Sequence, residues 1–330
     1  MKLDWPIEII GTGIGLPSQV VTNQQFAQRL ETSDEWIVQR TGIRERRIAR
    51  PGESTVDFCL DAAREALGQA GLTPEQIDLV ICATITPDHT LPASACEIQA
   101  RLGCRTIPAF DLVAACSGFV WSLVTGAQYV MSGLAQHALL VGGETMSRIS
   151  DMEDRATCVL FGDGAGAAII RKSTNSRKRI LAARMGADGS LAELIWIPGG
   201  GTHEPFSQKV LDERLNFIRM RGREVFKFAV NQALTLIDET LADAGVKPTD
   251  VNLMIPHQSN LRIIEAAMER MGIPEDRVIV NIQRFGNTSA ASVPIGLHEA
   301  RQAGRLKDGD LVLFVAIGAG MTWGTALMQM

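Results

Sequence analysis

The sequence predicts an α/β fold built twice: two α/β units, each a mixed sheet with helices on its faces, stacked into one layered sandwich. Three observations predict it. The first is an internal repeat, in which "EALGQAGLTPEQIDLVICAT" (65–84) aligns without a gap on "ETLADAGVKPTDVNLMIPHQ" (239–258), matching Glu, Leu, Ala, Gly, Pro, Leu and Ile. The second is the order of elements that follows each copy. The third is a matching pair of apolar strands that closes each half.

Each copy is an amphipathic helix ended by Gly71 or Gly245, then a loop carrying Pro74 or Pro248, then a short apolar strand, "LVICAT" or "LMIPH". Next comes a second apolar run that feeds a helix. In the first half "IPAFDLVAAC" is a buried strand leading into "SGFVWSLVTGAQYVMSG", and in the second "VIVNIQRFGN" leads into "TSAASVPIGLHEARQAG". Cys116 and Asn287 are therefore expected at equivalent strand-to-helix corners. The closing strand pairs are "ALLVGGE" with "GAGAAII", and "LVLFVAI" with "WGTALMQ". The charged stretch "RKSTNSRKR" (171–179) is the join, dividing the chain into an N-terminal half, 1–172, with the cysteine, and a C-terminal half, 173–330, with the histidine and asparagine. So many apolar helices require each half to cover a sheet face of the other.

With 330 residues and 46% hydrophobic content the chain can bury a large core. A net charge of −5 and a pI near 5.6 argue against nucleic acid or an anionic membrane as partner, since both demand a basic surface. Six cysteines (Cys59, Cys82, Cys96, Cys104, Cys116, Cys158) form no C-x-x-C pair and no zinc-spaced cluster, so reduced, cytosolic thiols without a structural metal are expected. The start "MKLDWPIEII" lacks the regions of a signal peptide, and "LVLFVAIGAG" is too short to span a bilayer.

Cys116 stands where an apolar strand stops and a helix begins. Unpaired N–H groups and the positive end of the helix dipole there favour a thiolate over a thiol, and the small neighbours Ala114, Ala115, Ser117 and Gly118 leave room for a substrate. The other five cysteines lie in apolar patterns and are expected to pack. His257 follows a strand in "LMIPHQSN", at the carboxyl end of a sheet. Asn287, in "RFGNTSAAS", is compatible with a helix N-cap, and its match to Cys116 places both on one cavity. Neither glycine run binds a nucleotide: "GTGIGLP" follows a strand but lacks the dinucleotide spacing, and "FGDGAGAAII" precedes a strand, so close backbone packing explains both. Arg219, Arg221, Arg223 and Lys227 cluster in an acidic protein, either as a solvated helix start or as a dock for an acidic partner. In "TSDEWIVQRTGI", Trp36 and Arg40 form an i, i+4 pair on a helix capped by Ser33 or Asp34.

"TSDEWIVQRTGI", "AACSGF", "DRATCVLFGDGAGA", "IPHQSNLRI", "RFGNTSAASVP" and "GAGMTWGTAL" occur in the order found in the β-ketoacyl-acyl carrier protein synthases III of the thiolase superfamily, and the chain resembles that family from about Glu8 to its end. The resemblance implies a thiolase-like α-β-α-β-α sandwich with two five-stranded sheets, and a cytoplasmic, homodimeric acyltransferase that initiates type II fatty acid synthesis. It implies a triad of Cys116, His257 and Asn287, an oxyanion hole from the backbone of Cys116 and Ala319, and no metal or cofactor beyond the coenzyme A thioester. Trp36 and Arg155 would sandwich the adenine, with Thr32, Arg40, Gly222, Phe226, Ser259 and Asn260 along the coenzyme A channel. Lys227 and Arg262 would meet malonyl-acyl carrier protein. Leu91 would reach the partner's acyl pocket, which Met146, Phe161 and Ile317 share.

Departures from the family pattern are few. Ala319 replaces a common glycine where only the backbone is used, "PGGGTHEPFSQKVLDERLNF" (198–217) is longer than in compact members, and Leu91 is smaller than the phenylalanine of acetyl-preferring relatives. A degradative thiolase is disfavoured because "GAGMTWG" offers no second cysteine, and an elongating synthase because it uses two histidines. A synthase III-like enzyme of secondary metabolism with another starter or acceptor, or a non-catalytic module binding coenzyme A or carrier protein, are the alternatives.

Overall fold

The computed structural model describes all 330 residues. The chain opens with β1 (Lys2–Trp5) and β2 (Ile7–Gly15), then a ribbon of β3 (Val20–Thr22) and β4 (Glu45–Arg47) that brackets α1 (Asn23–Ala27) and α2 (Asp34–Thr41). It continues through α3 (Thr55–Ala70), β5 (Leu79–Ala83), α4 (Ser94–Leu102), β6 (Ala109–Leu112), α5 (Gly118–Met131), β7 (His137–Thr145) and β8 (Asp163–Lys172). The second passage runs β9 (Arg179–Ala187), β10 (Ile195–Trp196), α6 (Gln208–Asp212), β11 (Arg219–Met220), α7 (Gly222–Ala244), β12 (Leu253–Pro256), α8 (Leu261–Met271), α9 (Ile282–Phe285), α10 (Ser292–Gln302), β13 (Leu311–Gly318) and β14 (Thr322–Gln329). No helix is long and apolar enough to cross a membrane.

The repeat is visible element by element. α3 and α7 both end on glycines in the left-handed conformation, Gly71 (φ 64°) and Gly245 (φ 69°), and both are followed by a turn opened by proline and a parallel strand. The two mixed sheets have five strands each, in the orders β2-β8-β7-β5-β6 and β1-β9-β14-β13-β12. The central strands β5, β7, β12 and β13 are buried on both faces, which is why they are apolar without alternation. In β13, for example, Val312, Phe314 and Ala316 face the middle of the molecule while Leu313 and Val315 face α7 and α8. α5 and α10 fill the space between the sheets, α3 and α4 cover the outer face of the first, and α7 and α8 the outer face of the second. The result is the five-layer sandwich.

Two expectations are corrected. The strand expected at "VIVN" is a single bridge from Val278 to Met254. The Gln258 side chain takes the hydrogen bonds a strand would have made: its oxygen accepts from Asn281 N–H (3.0 Å) and Ile282 N–H (3.1 Å), and its amide donates to Ile279 C=O (2.9 Å). The fifth strand is instead β1, which pairs with β9 on the opposite edge. The run "GTGIG" lies inside β2 rather than after it, and "GDGAGAAII" spans the start of β8.

Close packing accounts for the first of these runs. A Cβ on Gly11, Gly13 or Gly15 would lie 2.1, 2.1 or 2.0 Å from the carbonyl oxygens of Ala66, Ala62 and Phe58, one per turn of α3. The helix thus rests on the strand backbone. Gly13→Ala should lose at least about 1–3 kcal/mol in urea unfolding by overpacking this contact. Gly68→Ala, on the open side of α3 with nothing within 4 Å, should be neutral or stabilising by up to about 1 kcal/mol.

Candidate active site

Cys116 lies in a 3-10 turn, Ala115–Ser117, that leads from β6 into α5. Ala115 takes a left-handed conformation (φ 46°), a cost that a non-glycine residue bears only where the surroundings impose it. Gly318, the last residue of β13, presses against this corner, where a Cβ would stand 2.7 Å from the Cys116 nitrogen. The N–H groups of Cys116 and Ala319 both act on the Cys116 sulfur. Even so, burial pushes the thiol up to about 12; the Ser289 hydroxyl and the two N–H groups lower it, and Glu144 raises it. Burial thus opposes the thiolate that the helix end is expected to favour.

His257 follows β12, its N–H donating to Val315 C=O at 2.7 Å, and its Nδ1 lies 2.6 Å from Ser292 Oγ at the start of α10. Burial drives its pKa down to about 3, so the imidazole is neutral. Ser292 Oγ accepts from Gln258 N–H (3.4 Å) and is free to donate its own proton to Nδ1. In that arrangement Nε2 carries the imidazole proton. Asn287 is held by backbone bonds to Leu160 (2.8 Å) and Gly162 (3.0 Å), and its Oδ1 accepts from Ser289 N–H (2.8 Å), leaving Nδ2 as a free donor. Cys116, His257 and Asn287 line one cavity of about 480 Å³.

The corners are equivalent in a different register from the one expected. α10 is preceded by the turn Ser289–Ala291, whose first residue also takes a left-handed conformation (φ 49°), so Ala115 matches Ser289 and Cys116 matches Ala290. Asn287 stands three residues earlier. It reaches the cavity because its backbone bridges to Phe161.

Trp36, Arg40, Arg155, Gly222, Phe226, Ser259 and Asn260 line the same cavity. Ser33 caps α2 by accepting from Trp36 N–H (3.1 Å), and the guanidinium carbons of Arg40 and Arg155 lie 4.5 and 5.2 Å from the Trp36 ring centre. Asn260 caps α8 and donates to Arg40 C=O (2.9 Å), joining the two walls. Fully buried Arg46 fastens the β3–β4 ribbon to the opposite segment by donating to Asn23 Oδ1 (2.9 Å) and Val159 C=O (2.7 Å). Thr32 is outside the lining. Met146, Phe161 and Ile317 are within it, whereas Leu91 is 86% exposed and does not touch the cavity of its own chain. Lys227 and Arg262 are exposed beside Phe226, with Arg262 5.4 Å from its ring centre, and neither has an ion-pair partner. Cys96 is exposed rather than packed.

The sequence profile described as 3-Oxoacyl-[acyl-carrier-protein (ACP)] synthase III matches residues 110–189, and its C-terminal counterpart matches residues 241–330. A β-ketoacyl-[acyl-carrier-protein] synthase III of Symbiobacterium thermophilum is 46% identical over 98% of this chain and 98% of its own length. The chain belongs to the 3-oxoacyl-[acyl-carrier-protein] synthase III family. The crystal structure of the Aquifex aeolicus synthase III, 48% identical, superposes with a TM-score of 0.91 over 98% of this chain and 100% of that one. A priming β-ketosynthase from the R1128 polyketide pathway, 33% identical, gives 0.90 over 100% and 98%. The chain is an acyltransferase of the condensing type that initiates fatty acid synthesis, on a thiolase-type fold.

Sequence reasoning missed several residues of this synthase III site. Ile195 and Ile218 line the cavity from either side of the long segment 198–217, and β10 and β11 pair to hold them there. The length of that insertion was the one available signal. Ile85, Ala233, Ile237 and Ala267 also line it, yet in sequence they are indistinguishable from core. Ser289, Ser292 and Glu144 show themselves only through their hydrogen bonds.

The buried imidazole makes stability depend on pH. An unfolded histidine binds a proton near 6.5 but His257 only near 3, so its neutral form favours folding fully above pH 6.5 and progressively less as pH falls toward 3. Glu144, held at about 7 instead of 4.5, favours folding most below pH 4.5 and loses that contribution as pH rises through 7. Thermal melts should show His257→Gln losing less stability than the unsubstituted protein as pH is lowered from about 6.5.

Proposed function

We propose that Cys116 attacks the thioester of an acyl-coenzyme A and is acylated, and that malonyl-acyl carrier protein then loses carbon dioxide and attacks the acyl group to give a 3-oxoacyl-carrier protein. The observation that carries this reading is the convergence on one cavity of a thiol, two backbone N–H donors at its sulfur, and two uncharged side-chain donors. A covalent intermediate divides the condensation into acyl transfer and carbon–carbon bond formation. The N–H groups of Cys116 and Ala319 hold the oxyanion of acyl transfer. Decarboxylation leaves negative charge on the malonyl thioester oxygen, to which His257 Nε2–H and Asn287 Nδ2–H donate. These steps ask for no metal or redox cofactor.

Coenzyme A enters past Trp36, Arg40, Asn260 and Phe226. For its adenine to stack between Trp36 and Arg155, the arginine must lift off the ring it now covers. Exposed, unpaired Lys227 and Arg262 dock the acidic carrier protein beside the entrance. The starter chain occupies the wall of Met146, Phe161, Ile317 and Ile218. Leu91 and Val113 are 86% and 76% exposed, and Val113 directly follows β6, whose outer edge is free, which supports a homodimer in which Leu91 completes the partner's pocket. A cytoplasmic location fits this role.

Intact-protein mass after brief exposure to a panel of acyl-coenzyme A thioesters should show an adduct that maps to Cys116 and is absent from Cys116→Ala. No adduct with any thioester would sink the synthase reading. Asn287→Ala should still acylate while condensation falls about 10²–10³-fold. The double variant Lys227→Glu, Arg262→Glu should raise KM for carrier protein severalfold and weaken its salt dependence, with the coenzyme A half-reaction much less affected.

A further inference from the structure

We propose that Glu144 and Ser289 are positioning residues that hold the proton of Cys116 while its sulfur is acylated. This rests on the acylation of Cys116 proposed above. Glu144 is fully buried on β7 and has no salt-bridge partner, a placement that is costly unless hydrogen bonds compensate. Its Oε2 is saturated from the turn after β5, accepting from Thr86 Oγ1 (2.5 Å), Ile85 N–H (3.1 Å) and Thr84 Oγ1 (3.2 Å). Its Oε1 receives only the Ser289 hydroxyl (3.0 Å). The titratable groups that feel Glu144 are two thiols, Cys116 and Cys82, while Asp163 on neighbouring β8 is turned to Ala49 and Ser147.

The turn that carries Ser289 packs directly against the turn that carries Cys116, where the hydroxyl acts on the sulfur, and Ser289 is held there by a left-handed backbone that a serine adopts only under constraint. One hydroxyl proton cannot serve both neighbours. Two arrangements of equal net charge follow. In one, the Cys116 thiol donates to Ser289 Oγ, whose proton points at the Glu144 carboxylate. In the other, the S–H bond has broken, the sulfur's proton sits on Ser289, the serine's former proton sits on Glu144 Oε1, and the thiolate accepts from Ser289.

Attack of the sulfur on a thioester draws the system from the first arrangement to the second. As the new C–S bond forms, coenzyme A leaves as its thiolate, and Glu144 keeps the proton. When the carbon–carbon bond forms and Cys116 departs as thiolate, the same path returns the proton to sulfur. His257 is poorly suited to this task, because burial drives its pKa down to about 3 and makes the imidazole a weak proton acceptor. The carboxyl that burial holds at about 7 is ionised in part at neutral pH, so it can both take and return a proton.

Single-turnover release of coenzyme A, followed against pH, tests the proposal with Glu144→Gln and Ser289→Gly. The glycine suits the left-handed backbone while removing the hydroxyl, so it separates loss of the relay from loss of the fold. Acylation by the unsubstituted enzyme should rise with pH through about 7 as Glu144 ionises. Both variants should acylate at least about tenfold more slowly and lose that step. A Ser289→Gly enzyme that acylates at the unsubstituted rate with the step intact would overturn the relay. Absence of acylation in the unsubstituted enzyme would instead remove the reading on which the relay rests.

Discussion

Two helices, α5 and α10, lie sealed between two sheets, and the site depends on how closely those sheets let the first turns approach. The strands are thinned where the turns arrive. A Cβ on Gly142 would sit 2.4 Å from the Ala290 oxygen, and one on Gly318 would sit 2.7 Å from the Cys116 nitrogen. Larger residues would force the corners apart by more than the tolerance of a hydrogen-bonded site. Because both turns meet in this middle layer, side chains distant in the chain converge: Cys116 and Ser289 from the corners, His257 from the end of β12 and Asn287 from the loop before α10.

Burial then sets the charge state of everything in the site. The same desolvation raises the Cys116 thiol to about 12 and the Glu144 carboxyl to about 7, and lowers His257 to about 3. Each shift favours the uncharged form. A largely neutral, apolar cavity makes the N–H donors most effective at the moment negative charge develops, since little water competes for it.

The contrast between the outer layers has a related origin. α3 lies against the backbone of β2 through three glycines, so the outer side of the first sheet is filled. On the second sheet, α7 and α8 present Ala233, Ile237 and Ala267 toward Met254 and Val315 across the cavity wall. The outer layer of the first unit is thereby closed, while that of the second forms part of the cavity wall.

Much of this was legible in the chain. The helix stops at Gly71 and Gly245, the cap at Ser33, the duplication, and Cys116, His257 and Asn287 as a set that shares one cavity follow from local chemistry and from the order of motifs, both of which are properties of neighbouring residues. What the tertiary structure decided are the long-range pairings: β1 joined to β9, Gln258 taking the bonds of a missing strand, Ala290 rather than Asn287 as the counterpart of Cys116, and the Ser289 hydroxyl on Glu144 across 145 residues. The resting thiol belongs with them, because desolvation depends on all the chain that surrounds a group, whereas a helix end is written in a few consecutive residues.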